Sequence, residues 1–438
     1  MKYFGTDGIR ATFGSSFLTE DFAFSLGKAL ASFMVKNQVK NKLVLIARDT
    51  RPSGEILVEA LNGGLASKGF TGVSAGVVPT PALAFGTIYK KMAMGIMITA
   101  SHNPAQDNGF KIFSSHGLKL SDPEEEEIEK MINPDRQGTK LTTPESLCLT
   151  DPYLKHLAKY FPDDLLRGKK IVVDLSNGAT KETTSKLLQT LGADVFVFNN
   201  GNGQINDNVG SEHPSMIASK VTELKADFGI AHDGDGDRVI FCNSFGEVIP
   251  GDKILGLLAV HEQEYKRLLN NNFVATIHSN SGLDMSLKQQ GIVLHRADVG
   301  DRKVAEMMRN KKSNLGGESS GHLIASDFLP TGDGLLTALL VARASYESGK
   351  SIDSLSDKIT LWPSVEGAFR VNKKIPIQEC ESLSSNLSKA KARLGKDGRV
   401  LLRYSGTEPK IRLLVEATQQ SRAKEEFDCL VKTIEKTL

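Results

Sequence analysis

The chain has 438 residues and is short of what would staple or anchor a protein. Its four cysteines, Cys148, Cys242, Cys380 and Cys429, stand far apart and form no C-x-x-C pair. A disulfide framework or a structural zinc site needs clustering, so the spacing predicts buried thiols in a reducing compartment. Charge of one sign is also missing: 54 Lys and Arg against 52 Asp and Glu leave +2. No long-range field draws such a chain onto nucleic acid or an anionic membrane, which excludes a primarily electrostatic nucleic-acid binder. Long apolar runs are absent. Stretches such as Ile254 to Val260 and Leu335 to Ala342 fall far below the ~20 residues of a spanning helix. The opening Met1-Lys-Tyr-Phe-Gly-Thr-Asp-Gly8 meets charge and glycine before any apolar run, as expected of a cytoplasmic, soluble protein with no membrane association. There is no Walker A lysine motif and no strand-linked G-x-G-x-x-G, and Gly201-Asn-Gly203 lacks the third glycine. Nucleotide-driven and nicotinamide chemistry are therefore disfavoured.

What is present is ordinary globular composition, 40% hydrophobic and 24% charged, in a length that suits two to four domains. One pattern recurs three times: an apolar strand, a polar or glycine-bearing loop, a helix, a glycine and a second apolar strand. The copies begin at Leu43, Ile171 and Phe273, and their second strands at Gly72, Val195 and Ile292. Continuous apolar strands alternating with helices predict βαβ units and a buried, mostly parallel sheet. The tail differs, with strands predicted over Arg399 to Tyr404 and Ile411 to Glu416. A closing helix follows, carrying Ala423, Phe427, Leu430, Val431, Ile434 and Leu438 on one face. Seams are expected at Pro144 to Pro152, Gly246 to Gly251 and Leu361 to Pro363. The acidic run Glu124 to Glu127 follows Ser121-Asp-Pro123 and reads as a solvated helix start. His156 and His261 show no ligand spacing and are expected at the surface.

Four clusters could carry chemistry. Asp233-Gly-Asp235-Gly-Asp237-Arg238 follows an apolar strand, and its glycines let three carboxylates converge on one hard cation. An EF-hand loop needs Gly and Glu where this chain has Arg238 and Ser244, so a catalytic Mg²⁺ site is favoured over a calcium loop. Thr99-Ala-Ser101-His-Asn103 follows the apolar run Ala93 to Ile98, which puts Ser101 at a strand's carboxyl end, where open α/β sheets place ligands. Adjacent Ser101 and His102 do not make a triad, and no G-x-S-x-G elbow surrounds them. Gly316-Gly-Glu318-Ser-Ser320-Gly-His322 offers close backbone approach, hydrogen-bonding groups for a polyhydroxy ligand and an imidazole for acid–base work. Arg403-Tyr-Ser405-Gly406-Thr407 to Arg412 sets two arginines around a turn with two hydroxyls, a cradle for a phosphate dianion.

In their order along the chain, with the Ser101 cluster first, the four clusters resemble the α-D-phosphohexomutase superfamily, from Tyr3-Phe-Gly-Thr-Asp-Gly-Ile-Arg10 to the last turn. Arg296-Ala-Asp-Val-Gly-Asp-Arg302, the Ser-Gly-Thr-Glu-Pro turn and the stretch from Asn202 to Ser211 resemble its glucosamine branch. Ala11, Ser319 and Pro250 depart from the usual pattern without removing a reacting group. The resemblance implies an α/β chain of four domains around a central cleft: three related mixed α/β domains and a smaller C-terminal α+β domain. Their expected bounds are 1–150 with a phosphoserine loop, 151–252 with a metal loop, 253–362 with a sugar loop and 363–438 with a phosphate loop. It implies a phosphoserine at Ser101, which also joins Asp233, Asp235 and Asp237 around one Mg²⁺ per subunit. Arg10, Lys111, His102 and His322 are implied as catalytic groups, and Arg238, Glu318 and Ser320 as substrate contacts. Arg403, Ser405, Gly406, Thr407 and Arg412 are implied as the clamp for the non-reacting phosphate. The implied activity is reversible conversion of glucosamine 6-phosphate to the 1-phosphate through a 1,6-bisphosphate that also primes the enzyme, supplying UDP-N-acetylglucosamine synthesis. The implied partner is a small sugar phosphate, with the chain a monomer or homodimer. Rival readings are a glucose or mannose phosphomutase, a sugar phosphatase and a non-catalytic sugar-phosphate sensor.

Overall fold

The structure is a computed structural model that describes residues 2–15, 17–133, 138–371, 373–404 and 409–437. Two compact units are distinguished: Met1–His278 with Ile292–Ser356, and Ser279–Gly291 with Asp357–Leu438.

The first unit holds three sheets. In the largest, the order is Phe4–Gly5, Gly8–Thr12, Asp107–Ser114, Met94–Ile98, Leu43–Arg48, Thr71–Val77 and Glu145–Ser146. Its centre is parallel, Leu43–Arg48 pairing with both Thr71–Val77 and Met94–Ile98, and Asp107–Ser114 runs antiparallel beside it. Val44, Leu45, Ile46 and Ala47 are all fully buried, because helices cover both faces and both phases of the pleat must be apolar. Helix Glu20–Lys36 starts on Thr19, whose hydroxyl accepts from the Phe22 amide. It packs on helix Gly54–Ala66 so closely that a Cβ on Gly27 would strike the Leu61 carbonyl.

The second sheet runs Val248–Ile249, Val239–Cys242, Phe228–His232, Lys170–Asp174 and Asp194–Phe198. The third runs Val293–Ala297, Asn272–Thr276, Leu315–Gly317 and Leu323–Ala325. In each, the two strands of the repeated motif pair in parallel, with helices Thr184–Thr190 and Ser281–Gln289 between them in sequence. The three copies predicted from the sequence are therefore present, with bounds shifted by at most two or three residues.

In the second unit, Ser364–Arg370, Lys410–Ala417 and Gly398–Tyr404 form an antiparallel sheet, with helices Glu381–Leu394 and Gln420–Thr437. Glu416, buried, accepts from the Ser281 amide (3.0 Å) and hydroxyl (2.6 Å) and from Arg399 Nε (3.1 Å), tying Ser279–Gly291 to this sheet. Strand Ser364–Arg370 and helix Glu381–Leu394 went unread in the sequence. Their signals were there: Val365, Gly367 and Phe369 alternate along the strand, and Leu383, Leu387, Ala390 and Leu394 recur at helical spacing.

Three expectations need correction. Only Cys242 and Cys380 are buried, whereas Cys148 and Cys429 are exposed; all four are free thiols. Burial pushes the Cys242 thiol up to about 12, which makes it inert at neutral pH. His261 is not at the surface but buried, 2.8 Å from Glu347 and 2.9 Å from Arg267, which also bonds Glu262. The acidic helix start is not wholly solvated. Ser121 and Glu124 do form a capping box on helix Asp122–Glu129, but Glu125 is buried and pairs with Arg302 at 2.7 Å.

Candidate active site

Each sheet of the first unit contributes a loop at a strand's carboxyl end or a hairpin tip, where backbone groups are free to face a ligand. Ser101 follows Met94–Ile98 and is fully buried, with a left-handed φ of 53°. Its amide donates to Thr99 Oγ1 (2.8 Å), and Thr99 in turn donates to Asp49 Oδ2 (2.6 Å). Its hydroxyl donates to Asp233 Oδ2 at 2.7 Å, so the serine and the triple-aspartate loop meet although 132 positions separate them. The neighbouring His102 Nδ1 lies 3.4 Å from the same hydroxyl. Burial, then Arg238 and Arg10, push the His102 imidazole down to about 4, so it is neutral at pH 7.

Asp233, Asp235 and Asp237 follow strand Phe228–His232, all buried, with one carboxylate oxygen from each lying within 4.8 Å of the others. Gly236 turns the loop at a left-handed φ of 71°, and a Cβ there would collide with Thr180. Below the loop, His232 is buried and burial lowers its imidazole to about 4. The neutral ring lies 3.1 Å from the Arg238 carbonyl and 3.0 Å from Thr184 Oγ1, which fixes both ends of the loop. Burial, then Asp237 and Asp235, raise the Asp233 carboxyl well above its usual range. Asp237 goes the other way. Burial opposes its charge, but Lys111 and then His322 hold it well below the usual range.

Lys111, on strand Asp107–Ser114, reaches Asp235 Oδ2 at 2.7 Å, Asp237 Oδ2 at 2.6 Å and Asp7 Oδ2 at 3.4 Å. It is almost wholly buried; burial opposes its charge, but the three aspartates raise its pKa well above the ordinary lysine value. His322 lies 3.6 Å from Asp237 and 3.5 Å from Asp301 at its two ring nitrogens. Against the effect of burial, those two acids raise its pKa. Asp301 pairs with Lys119, and Lys119 with Asp7, which also pairs with Arg10. Asp7, Lys111, Asp237, His322, Asp301 and Lys119 thus form a closed ring of alternating acids and bases drawn from all three sheets.

Arg238 donates its amide to Asp233 (3.2 Å) and lies 3.9 Å from Asp237. Glu318 sits on the turn between Leu315–Gly317 and Leu323–Ala325 and accepts from the Gly300 amide at 3.0 Å. Ser320 is on the same turn, half-buried. In the second unit, Arg403 and Arg412 stand directly opposite each other on paired strands. Like charges so placed repel, and burial and then Arg412 lower the Arg403 guanidinium. Ser405, Gly406 and Thr407 lie outside the described residues.

Sequence reasoning missed Asp7, Lys119 and Asp301 as participants, and also Arg51. For Arg51 only the loop was legible: Asp49 and Arg51 stand directly after the buried strand Leu43–Arg48, which does not say what they face.

Three α/β domains that lend one loop each to a buried serine–aspartate–lysine centre, followed by an α+β domain with paired arginines, have the make-up of a phosphohexomutase. Family comparison agrees along the chain. Residues 1–139, 151–246 and 250–361 match the phosphoglucomutase/phosphomannomutase alpha/beta/alpha domains I, II and III, and 366–432 match the C-terminal domain. The chain belongs to the phosphoglucomutase/phosphomannomutase family. A phosphoglucosamine mutase of Nautilia profundicola is 40% identical over 97% of both chains. Among solved structures, a phosphoglucomutase/phosphomannomutase family protein from Burkholderia thailandensis superposes with a TM-score of 0.82. It is 24% identical, over 99% of this chain and 97% of its own. The N-acetylphosphoglucosamine mutase of Aspergillus fumigatus, solved with GlcNAc-6P and magnesium, gives 0.65 at 17% identity, over 92% and 85%.

Proposed function

We propose that this enzyme interconverts glucosamine 6-phosphate and glucosamine 1-phosphate, with Ser101 carrying the transferred phosphate. The observation that carries the reading is the Ser101 hydroxyl held 2.7 Å from Asp233 at the mouth of a buried three-carboxylate loop. A phosphoserine there brings about −1.5 to −2 charges against three carboxylates. At 4 Å and an effective dielectric of 20, each unit pair costs about 4 kcal/mol, so the site calls for a strong cation. The donors fit Mg²⁺: all are hard oxygens, and the buried Asp235 Oδ1 and Asp237 Oδ1 have no hydrogen-bond partner among the described residues. Asp233, Asp235, Asp237 and the Ser101 phosphate would hold it, and the ion would neutralise charge that shifts during transfer. The structural relative from Aspergillus fumigatus is a magnesium complex by its own description.

The chain's own groups divide the remaining work. Lys111 supplies fixed positive charge to Asp235 and Asp237, Arg10 pairs with Asp7, and Arg238 adds a third cation on the metal loop. Lys111, raised well above the ordinary lysine value, keeps its proton and acts only as charge; His322, biased toward imidazolium, enters as a proton donor, while neutral His102 is able to accept a proton near Ser101. Glu318 and Ser320 are assigned to the sugar hydroxyls. In the second unit, the Arg403–Arg412 pair is assigned to the non-reacting phosphate, whose two charges would relieve their mutual repulsion. Ser405, Gly406 and Thr407, outside the described residues, are assigned to the same phosphate from the sequence motif alone. Phosphate passes from Ser101 to one hydroxyl, giving the 1,6-bisphosphate, which turns end for end and returns its other phosphate to Ser101. The amino-sugar preference rests on the 40% identical relative.

The test has two arms. Intact mass and phosphopeptide mapping are expected to find phosphate on Ser101, and Ser101→Ala to lose both the phosphate and turnover. Undiminished mutase turnover in that variant would sink the assignment. Parallel turnover of glucosamine, glucose and mannose 1-phosphates is expected to favour glucosamine; a mannose preference overturns the substrate, and net phosphate release faster than isomerisation overturns the mutase reading.

A further inference from the structure

We infer that Asn206, acting with Arg51, is a positioning residue for Ser101: donors from two different domains bracket the same pair of carbonyls and set the peptide on which the reacting hydroxyl hangs. The inference rests on Ser101 being the phosphate carrier.

Asn206 Nδ2 donates to the Ser101 carbonyl at 2.7 Å and to the Asn103 carbonyl at 2.9 Å. Arg51 Nη2 donates to the same two oxygens at 2.9 and 2.8 Å. The rest of the Arg51 fork is also spent on this loop. Nη1 reaches the carbonyls of Pro104 and Asp107, the latter at 2.7 Å, and Nε reaches Asp49 Oδ2 at 3.0 Å. All five N–H groups of a fully buried guanidinium are therefore used, four of them on backbone between residues 101 and 107. Arg51 belongs to the first sheet's domain, as Ser101 does. Asn206 comes from the second, in the stretch between Gly201 and Ser211.

The Asn206 amide has one way to point. Ser176 Oγ donates to its Oδ1 at 2.6 Å, and the two carbonyls opposite can only accept, so the NH₂ must face them. Its backbone is held separately, by the amide donating to the Ser176 carbonyl at 3.1 Å, and it sits at a left-handed φ of 58°, which asparagine tolerates. The third side of the Ser101 carbonyl is closed by the metal loop. A Cβ on Gly234 would come within 2.7 Å of that oxygen and 2.9 Å of Asn206 Nδ2. Serine in the left-handed region persists only where its surroundings over-determine it. Here one carbonyl is fixed from two domains, while the hydroxyl on the other side of the residue faces Asp233. Losing the Asn206 bonds leaves Arg51 alone on both carbonyls, so the peptide plane after Ser101 is held from one domain only and the phosphate-bearing oxygen gains room to drift; a misplacement of 1 Å can cost about 100-fold in rate.

The variants are Asn206→Gly, which keeps the left-handed backbone, and Asn206→Asp, which keeps the shape but turns an oxygen toward two carbonyl oxygens. Full-length enzyme phosphorylated on Ser101 with ³²P is mixed with glucosamine 6-phosphate in a single turnover, alongside steady-state kcat, KM and thermal melting. Transfer and kcat are expected to fall about 10- to 100-fold, with KM and melting temperature little changed. Ser176→Ala, which frees the amide to turn, is expected to fall in the same direction by less; it carries the test if the Asn206 variants do not fold. Transfer rates within about two-fold of wild type, or losses that track the melting temperature, overturn the inference. If wild-type Ser101 takes no phosphate, the functional reading fails instead. If wild type transfers and the variants match it, only the positioning role fails.

Discussion

Replacing Lys111 by methionine isolates the charge balance of the site. The ammonium is almost fully buried and lies 2.7 Å from Asp235, 2.6 Å from Asp237 and 3.4 Å from Asp7. At an effective dielectric of 20, each of the two short pairs represents about 6 kcal/mol of gross attraction. Most of that is offset by desolvation, and the net cost of removing one partner from a buried pair is about 3–5 kcal/mol. With an unfolding entropy of about 2.1 cal/mol/K per residue over the whole chain, the melting temperature is expected to drop by about 3–5 °C. The pH dependence follows from the signs. In the wild type Asp237 is held below its usual range, so its contribution is present above that range and is lost only as pH falls through the depressed value. Lys111 is raised, so its contribution is present below the ordinary lysine value and is lost only as pH climbs past the raised one. Between pH 5 and 9 the contribution of these two groups in the wild type is therefore flat. Without Lys111 the carboxylates bind protons more readily when folded than unfolded, and the variant loses stability as pH rises. The gap between the two melting curves is expected to widen from pH 5 to 9, and added Mg²⁺ to raise the variant's melting temperature more than the wild type's. Scanning calorimetry at three pH values, with and without Mg²⁺, reads both. Equal melting temperatures, or a gap that is the same at pH 5 and 9, would refute the reasoning.

Two further substitutions test the packing around the site. Gly27→Ala puts a methyl group into the Leu61 carbonyl at the crossing of helices Glu20–Lys36 and Gly54–Ala66, and overpacking of this kind costs about 1–3 kcal/mol, read as a lower urea midpoint at unchanged slope. Burial raises the Glu125 carboxyl to about 7 despite its Arg302 partner. A raised folded pKa adds stability at low pH that is lost as pH climbs through it, so wild type is expected to lose stability relative to Glu125→Gln between pH 5 and 8. Thermal melts of the two proteins at both pH values check the sign.

Much of the fold was legible because its information is local. An apolar run, a polar loop and a glycine after a helix each declare themselves within a dozen residues, and all three strand–helix–strand copies were placed that way. The metal loop was legible for the same reason: Asp233, Asp235 and Asp237 converge through a turn that their own glycines permit, with no help from the rest of the chain. Ser101 could be nominated from its place after a buried strand.

The ring around that centre was not legible. Asp7, Lys111, Asp237, His322, Asp301 and Lys119 come from five separate stretches of chain, and nothing local distinguishes Lys119 from a surface lysine. The same holds for Glu125, which the sequence puts in an acidic, solvated run and the packing buries against Arg302. Arg51 and Asn206 are the sharpest case. A loop arginine and a loop asparagine say nothing about which carbonyl they will face, because their partners lie about 50 and 105 residues away. By itself the sequence determined which groups could do chemistry, since reactivity and local turns belong to the residue and its neighbours. Only the tertiary structure decided which of them are charged, which are buried and what holds them still. Burial and the distance between charges are properties of the packed chain and have no value until it folds.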